Sequence, residues 1–155
     1  MKNHKKIFIG CAITKYLTKE GLNEEFEKFI KEIYSICKKY TDHVFLALER
    51  EDFGRATMED HVCTPLDYEA MKESDYFIAL PEDSMGVAVE IGWASALRKK
   101  IVVIQDDRFT YSPLINAIGT ITEAKVIKFK SQEGIGSMIK EIILRLDEYL
   151  SYHFS

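Results

Sequence analysis

Residues 75–104 read DYFIALPEDSMGVAVEIGWASALRKKIVVI, and how this stretch divides decides the fold. DYFIAL (75–80) and KIVVIQ (100–105) are continuous apolar runs without alternation, the pattern of strands covered on both faces of a parallel sheet. Between them SMGVAVEIGWASAL (84–97) has the length and content of a helix, with Ser84 at the expected N-cap and Asp83 before it. Strand, helix and strand in that order make parallel neighbours joined by a crossover.

Working outward, KKIFIGCAI (5–13) and HVFLAL (43–48) repeat the continuous apolar pattern, while AKVIKFK (124–130) alternates as a half-exposed edge strand does. Steps of three and four residues link Phe26, Phe29, Ile30, Ile33, Tyr34, Cys37 and Tyr40. The same steps link Ile135, Met138, Ile139, Ile142, Ile143, Leu146 and Leu150, so both segments read as helices packed on a sheet. The order β-α-β-α-β-α-β-β-α predicts an α/β fold, a doubly wound, mostly parallel five-stranded sheet of flavodoxin-like or Rossmann-like type. At 155 residues the chain has the size of one domain, and residues 1–155 are expected to form one. EREDFGRATMEDHVCTP (49–65) is the longest stretch without periodicity and a candidate substrate-covering loop.

Composition excludes several classes. A hydrophobic fraction of 46% with 30% charged residues describes a globular chain able to repay its ordering entropy. Net charge is −4, and the lysines of segments such as KEIYSICKKY alternate with acids, which argues against a nucleic-acid surface and leaves room for a small anionic ligand. The basic start MKNHKKIFIG leads into an apolar run too short for a signal peptide, and no run reaches the roughly 18 residues of a membrane span. Cys11, Cys37 and Cys63 are odd in number and lack CxxC spacing, and His4, His43, His61 and His153 lack metal-ligand spacing. No disulfide framework, metal or membrane contact is therefore expected, and the expected compartment is the cytoplasm.

Sheets of this class bind ligands beyond the carboxyl ends of their strands. The first three strands lead there into Cys11-Ala12-Ile13-Thr14-Lys15, Glu49-Arg50-Glu51-Asp52 and Pro81-Glu82-Asp83-Ser84. Glu90 is the one carboxylate in a helix otherwise apolar apart from Ser95, which predicts a mostly buried helix. An ionised carboxylate in such a setting costs several kcal/mol unless it is compensated, and otherwise its pKa rises. Glu90 is then either a group on a narrow wet stripe, paired with a lysine, or a site residue. Ser84 fits a helix cap or, with the free N–H groups around it, a phosphate site, and Gly86 permits close approach there. Asp67 in TPLDYEAMKESD reads as a first-turn acid near the start of a helix, or as a second carboxylate beside the same crevice. Two carboxylates at one crevice suit cleavage of a glycosidic bond. Phe8, Phe53 and Trp93 are candidates to stack on a base, although Trp93 also suits a core or dimer contact, and Asp106 and Asp107 suit a turn.

These residues carry a resemblance. SMGVAVEIGWASALRKKIVVI, together with KIFIGCAI, LDYEAMKESDYFIAL and YSPLINAIGT, resembles the nucleoside 2-deoxyribosyltransferase superfamily over roughly residues 5–120. Its branches differ six residues before the Glu, and Ser84 resembles the nucleoside 5'-monophosphate N-glycosidase branch, where the deoxyribosyltransferases have Asp. The resemblance implies that Glu90 is a nucleophile attacking the anomeric carbon and that Asp67 hydrogen-bonds the sugar or activates water. It implies that Gly10, Thr14, Lys15, Ser84, Gly86 and Ser112 bind substrate, Ser112 across a homodimer interface. No cofactor is implied. The expected activity is hydrolysis of a (deoxy)nucleoside 5'-monophosphate to free base and sugar 5-phosphate. Base exchange between deoxynucleosides and non-catalytic nucleotide sensing are the alternatives, and the expected partner is a nucleotide or nucleoside.

Overall fold

The computed structural model describes residues 3–130 and 135–155, the side chains of 135–137 excepted. In chain order, β1 (Ile7–Cys11) is followed by a small antiparallel hairpin of β2 (Leu17–Thr18) and β3 (Gly21–Leu22), then by α1 (Glu24–Tyr40) and β4 (Val44–Leu46). The one-turn α2 (Ala47–Arg50), α3 (Asp60–Glu73), β5 (Tyr76–Leu80), α4 (Met85–Ala96) and β6 (Lys100–Asp106) come next. The one-turn α5 (Pro113–Asn116), β7 (Ala124–Phe129) and α6 (Ile135–Phe154) complete the described strands and α-helices. Five strands form a parallel sheet in the order β4-β1-β5-β6-β7. The winding reverses between β1 and β5, the switch point where such sheets open a crevice.

Side chains on a strand alternate between faces, and both faces of this sheet are covered. Ile7, Ile9 and Cys11 of β1 join Phe26, Ile30 and Ile33 of α1 and Met138, Ile142 and Leu146 of α6 in one core. Phe8 joins Phe77, Ala79, Val103 and the α4 residues Val87, Ile91 and Ala94 in the other. All five positions of β1 and of β5 are buried, which is why their sequences run apolar without alternation. β7 is an edge strand and alternates in burial, as expected. The side chain of Ile135 lies outside the described residues.

Several sequence expectations need correction. β6 and β7 are parallel neighbours and need a crossover; α5 and a 3₁₀ turn at Ile118–Thr120 supply it, too short to leave a periodic signal. α4 is only partly buried: Val87, Ile91 and Ala94 are covered, but Met85 is 85% and Val89 51% exposed. α3 starts at Asp60, so Asp67 stands in mid-helix and not near its start. The segment 49–65 is no free cover, because it is built from the ends of α2 and α3 around a 3₁₀ turn at Asp52–Gly54. That turn is fastened to α1, with Arg55 Nη2 3.4 Å from Glu27 Oε2 and Lys31 Nζ 4.4 Å from the centre of the Phe53 ring.

Candidate active site

Glu90 lies three residues after Val87 and four before Ala94, which places it beside the buried face of α4. Across from it is Gly10, on the face of β1 that Phe8 shares with α4. A Cβ built on Gly10 would fall 2.2 Å from Glu90 Oε2 and 2.7 Å from the Phe77 ring. The carboxylate therefore rests against the β1 backbone in space that only glycine leaves open. Glu90 as a residue is half-buried, yet its Oε2 atom is buried without a hydrogen-bond partner. Burial, and then the charge of Asp67, push its pKa up to about 8. The thiol of Cys11, one residue beyond Gly10, is raised by burial and by the charges of Glu90 and Glu82.

Asp67 reaches the site from α3 and is held by Arg50, the last residue of α2. Arg50 Nη1 donates to Asp67 Oδ1 at 2.8 Å. Burial raises the Asp67 pKa against the opposing pull of Arg50, and Glu51 adds to the rise. The Arg50 guanidinium carbon lies 5.6 Å from the centre of the Phe45 ring, while its Nε and Nη2 are buried and without acceptors. Arg50 was visible in the sequence only as part of the polar stretch after the second strand. Its sole further signal is that it is the first cation beyond that strand's carboxyl end.

Ser84 caps α4, its hydroxyl accepting from Val87 N at 3.3 Å, and so occupies the cap that one of its two readings required. A Cβ on Gly86 would meet only Ser84 Oγ, at an ordinary 3.7 Å, so packing within the chain does not require glycine there. Thr14 and Lys15 form a 3₁₀ turn with Tyr16 after β1. Lys15 pairs with Glu82 and, at 2.9 Å, with Asp83, and it lies 4.2 Å from the centre of the Phe109 ring. Burial works against the Lys15 charge, but the two carboxylates outweigh it and hold the pKa above the usual lysine range. Ser112 caps α5 by accepting from Leu114 N at 3.3 Å. Of the proposed stacking residues, Phe8 is core, Phe53 is covered by Lys31, and Trp93 packs edge-on against Tyr68 at 5.2 Å.

The structure thus gathers Glu90, Gly10, Asp67 and Arg50, and sets Ser84 at the start of the helix that carries Glu90. Among the described residues no group of three or more His, Cys, Asp and Glu side chains could hold a metal ion, and no helix is long and apolar enough to cross a membrane. A desolvated carboxylate with an open lone pair can attack an electrophilic carbon or stabilise a cation formed beside it.

The doubly wound sheet agrees with the comparisons. The family model for nucleoside 2-deoxyribosyltransferase matches residues 16–141, and the chain belongs to that family. Among solved structures it is similar to the Clostridium botulinum CMP N-glycosidase BcmB, at 31% identity and a TM-score of 0.70, over 94% of this chain and 99% of that one. It is also similar to BlsM, known from a solution structure, at 26% identity and a TM-score of 0.70, over 93% of this chain and 90% of that one. No curated protein matched by sequence.

Proposed function

We propose that this protein is an N-glycosidase that hydrolyses a nucleoside 5'-monophosphate, with CMP the first substrate to test because a CMP N-glycosidase is among its structural relatives. The observation that carries the reading is the buried, unpartnered Glu90 Oε2 lodged over Gly10. Glu90 attacks C1' of the sugar, the bond from C1' to the base nitrogen breaks, and its electron pair leaves with the base, which takes a proton from water. Water then attacks C1' of the glycosyl ester and gives its proton to the hydroxide left by the first step, yielding sugar 5-phosphate and restoring the carboxylate. The transition state has oxocarbenium character, and a carboxylate already stripped of water stabilises that positive charge without reorganising solvent. Asp67 hydrogen-bonds the sugar or orients the incoming water.

The 5'-phosphate lies at the start of α4, held by Ser84, by the backbone of Gly86, and by Thr14 and Ser112. Free N–H groups and the positive end of the helix dipole favour an anion there. Lys15 contributes little, since Glu82 and Asp83 already neutralise it. The protein acts as a homodimer: Met85, Val89, Gly92 and Ala96 are exposed at spacings of four, three and four, an apolar stripe on α4 that suits a second copy. Cys11, Cys37 and Cys63 are unpaired, which suits a cytoplasmic enzyme.

The test is chromatography of ribo- and deoxynucleotides and nucleosides incubated with wild type and with Glu90→Gln. Base released from monophosphates by wild type and not by the variant is the expected result. Release that needs an added acceptor base and yields a new nucleoside identifies a transferase instead. Nucleotides that bind and raise the melting temperature yet remain intact would identify a sensor. Sedimentation at micromolar concentration decides the dimer, and a monomer there would remove it.

A further inference from the structure

Among the described residues, the buried side-chain nitrogen and oxygen atoms without a hydrogen-bond partner are three: Glu90 Oε2, Arg50 Nε and Arg50 Nη2. All three belong to the two neighbours of Asp67, which hydrogen-bonds Arg50 and raises the pKa of Glu90. The two nitrogens form one edge of the guanidinium, with parallel N–H groups in a fixed plane that suit two adjacent acceptors. Arg108 shows the same edge filled, its Nε and Nη2 both donating to Asp106. The Arg50 edge has no such acceptor, and burying donors unpaired is destabilising. The third nitrogen, bound to Asp67, and the Phe45 ring beside the group fix its orientation.

We infer that this edge receives the leaving base through a pair of adjacent acceptors, and that the pair is O2 and N3 of cytosine. The inference rests on the nucleotide hydrolase reading. Six residues of helix separate Ser84 from Glu90, about 9 Å along the axis. Phosphate and base leave a ribose from opposite ends, so with the phosphate at Ser84 and C1' at Glu90 the base departs on the far side of the sugar, and Asp67, whose charge reaches Glu90, ties Arg50 into the same site. Cytosine presents O2 and N3 as neighbouring acceptors. Uracil sets an N3–H donor against the guanidinium donors, and adenine offers an acceptor beside a donor. As the bond from C1' to N1 breaks, its electron pair spreads from N1 onto O2 and N3, where the guanidinium meets the developing charge. A proton from water then leaves the base neutral, while the sugar is held as the Glu90 ester.

The experiment is calorimetric binding of CMP, UMP, GMP and ribose 5-phosphate to Glu90→Gln protein, with and without Arg50→Lys. The lysine keeps a cation for Asp67 but loses the planar edge. Expected is a CMP preference over UMP of about 10-fold or more, falling to near parity with the lysine, while ribose 5-phosphate binding is unchanged. Melting curves confirm folding, and Arg50→Gln replaces the lysine variant if that fails. An unchanged or absent CMP preference overturns the inference. So does an effect confined to ribose 5-phosphate, which would make the edge a phosphate site, or a preference for GMP, whose O6 and N7 form the competing acceptor pair. These binding arms separate the two proposals: a wild type that cleaves nothing while Arg50 governs CMP binding sinks the hydrolase reading alone. A wild type that cleaves CMP while Arg50 leaves the preference untouched sinks this inference alone.

Discussion

Two corners of the same sheet edge treat their charged groups in opposite ways. Beyond β5 and β6, Tyr16 donates to both oxygens of Glu82 at 2.8 and 2.9 Å, Lys15 pairs with Glu82 and Asp83, and Arg108 closes onto the buried Asp106. Glu82, whose carboxylate takes these contacts, has a left-handed backbone at φ 41°. By β1 and β4, Glu90 and Arg50 are half-buried residues that each hold buried polar atoms without a hydrogen-bond partner. The first corner fits what is expected of a folded scaffold, because a buried polar group is stabilising only once its partners are in place. The second keeps its polar atoms unmatched, as a site awaiting a ligand does. The difference separates charges that hold the fold from charges that act on something else.

The largest effect that can break this comparison comes from Glu90→Gln. Turnover should fall at least about 10³-fold, because the amide keeps the shape and loses the nucleophile. Stability should move the other way. The Glu90 carboxyl ionises near 4.5 when solvated and near 8 in the native protein, so its contribution to stability is present at low pH and lost as pH rises through that window. Melting curves from pH 4 to 9 should show the variant gaining on wild type as pH rises, and parallel curves would mean that Glu90 is not a buried acid. The same ionisation governs activity: kcat/KM of wild type should climb with pH toward about 8. In Asp67→Asn, which removes the like charge, any residual activity should rise at lower pH.

Gly10→Ala tests the space beneath that carboxylate. The added methyl would fall 2.2 Å from Glu90 Oε2, so the carboxylate must move. A displacement of this kind costs about 10²-fold in turnover even with the nucleophile present. Steady-state kinetics and a melting curve separate this from unfolding, and a variant with normal kcat would place the reacting geometry elsewhere.

How much of this was legible in the sequence follows from which features leave a periodic or compositional trace. β1, β5 and β6 are covered on both faces and read as unbroken apolar runs, and Glu90 stands out as the one carboxylate of an otherwise apolar helix. Gly10 was carried by resemblance, but its physical reason, contact with Glu90, arises between elements eighty positions apart. Arg50 sits in a one-turn helix after a three-residue strand, where no periodicity can form, so nothing local distinguished it from the acids around it. The exposed stripe of α4 is not legible for a related reason. An all-apolar helix carries no amphipathic signal, so whether a face meets the sheet or a second surface is decided by packing.

The comparison can be sharpened from the closed corner. Arg108→Met leaves Asp106, 3% exposed, with the Arg108 backbone N–H at 3.0 Å but no cation. Loss of a charge-assisted pair there should lower stability by about 1–3 kcal/mol while kcat/KM per folded molecule stays near wild type. Denaturant titration measures the first and active-site-normalised kinetics the second. A variant as stable as wild type but catalytically impaired would move Arg108 from the scaffold into the site.

Lys15→Met is the smallest and most discriminating change. If a lysine near the β1 loop served as a free cation for the 5'-phosphate, its loss would raise KM for monophosphates and leave the unphosphorylated nucleosides untouched. Lys15 is not free: two carboxylates share it, and a phosphate arriving there would have to compete with both. Removing it deletes one positive charge and releases Glu82 and Asp83, whose negative charges then act on the anion from farther away through solvent. The expected outcome is therefore a modest rise in KM for CMP that shrinks with added salt, with kcat unchanged. A large, salt-insensitive rise confined to phosphorylated substrates would show that Lys15 leaves its acids on binding, and the boundary between the two corners would then run through that residue.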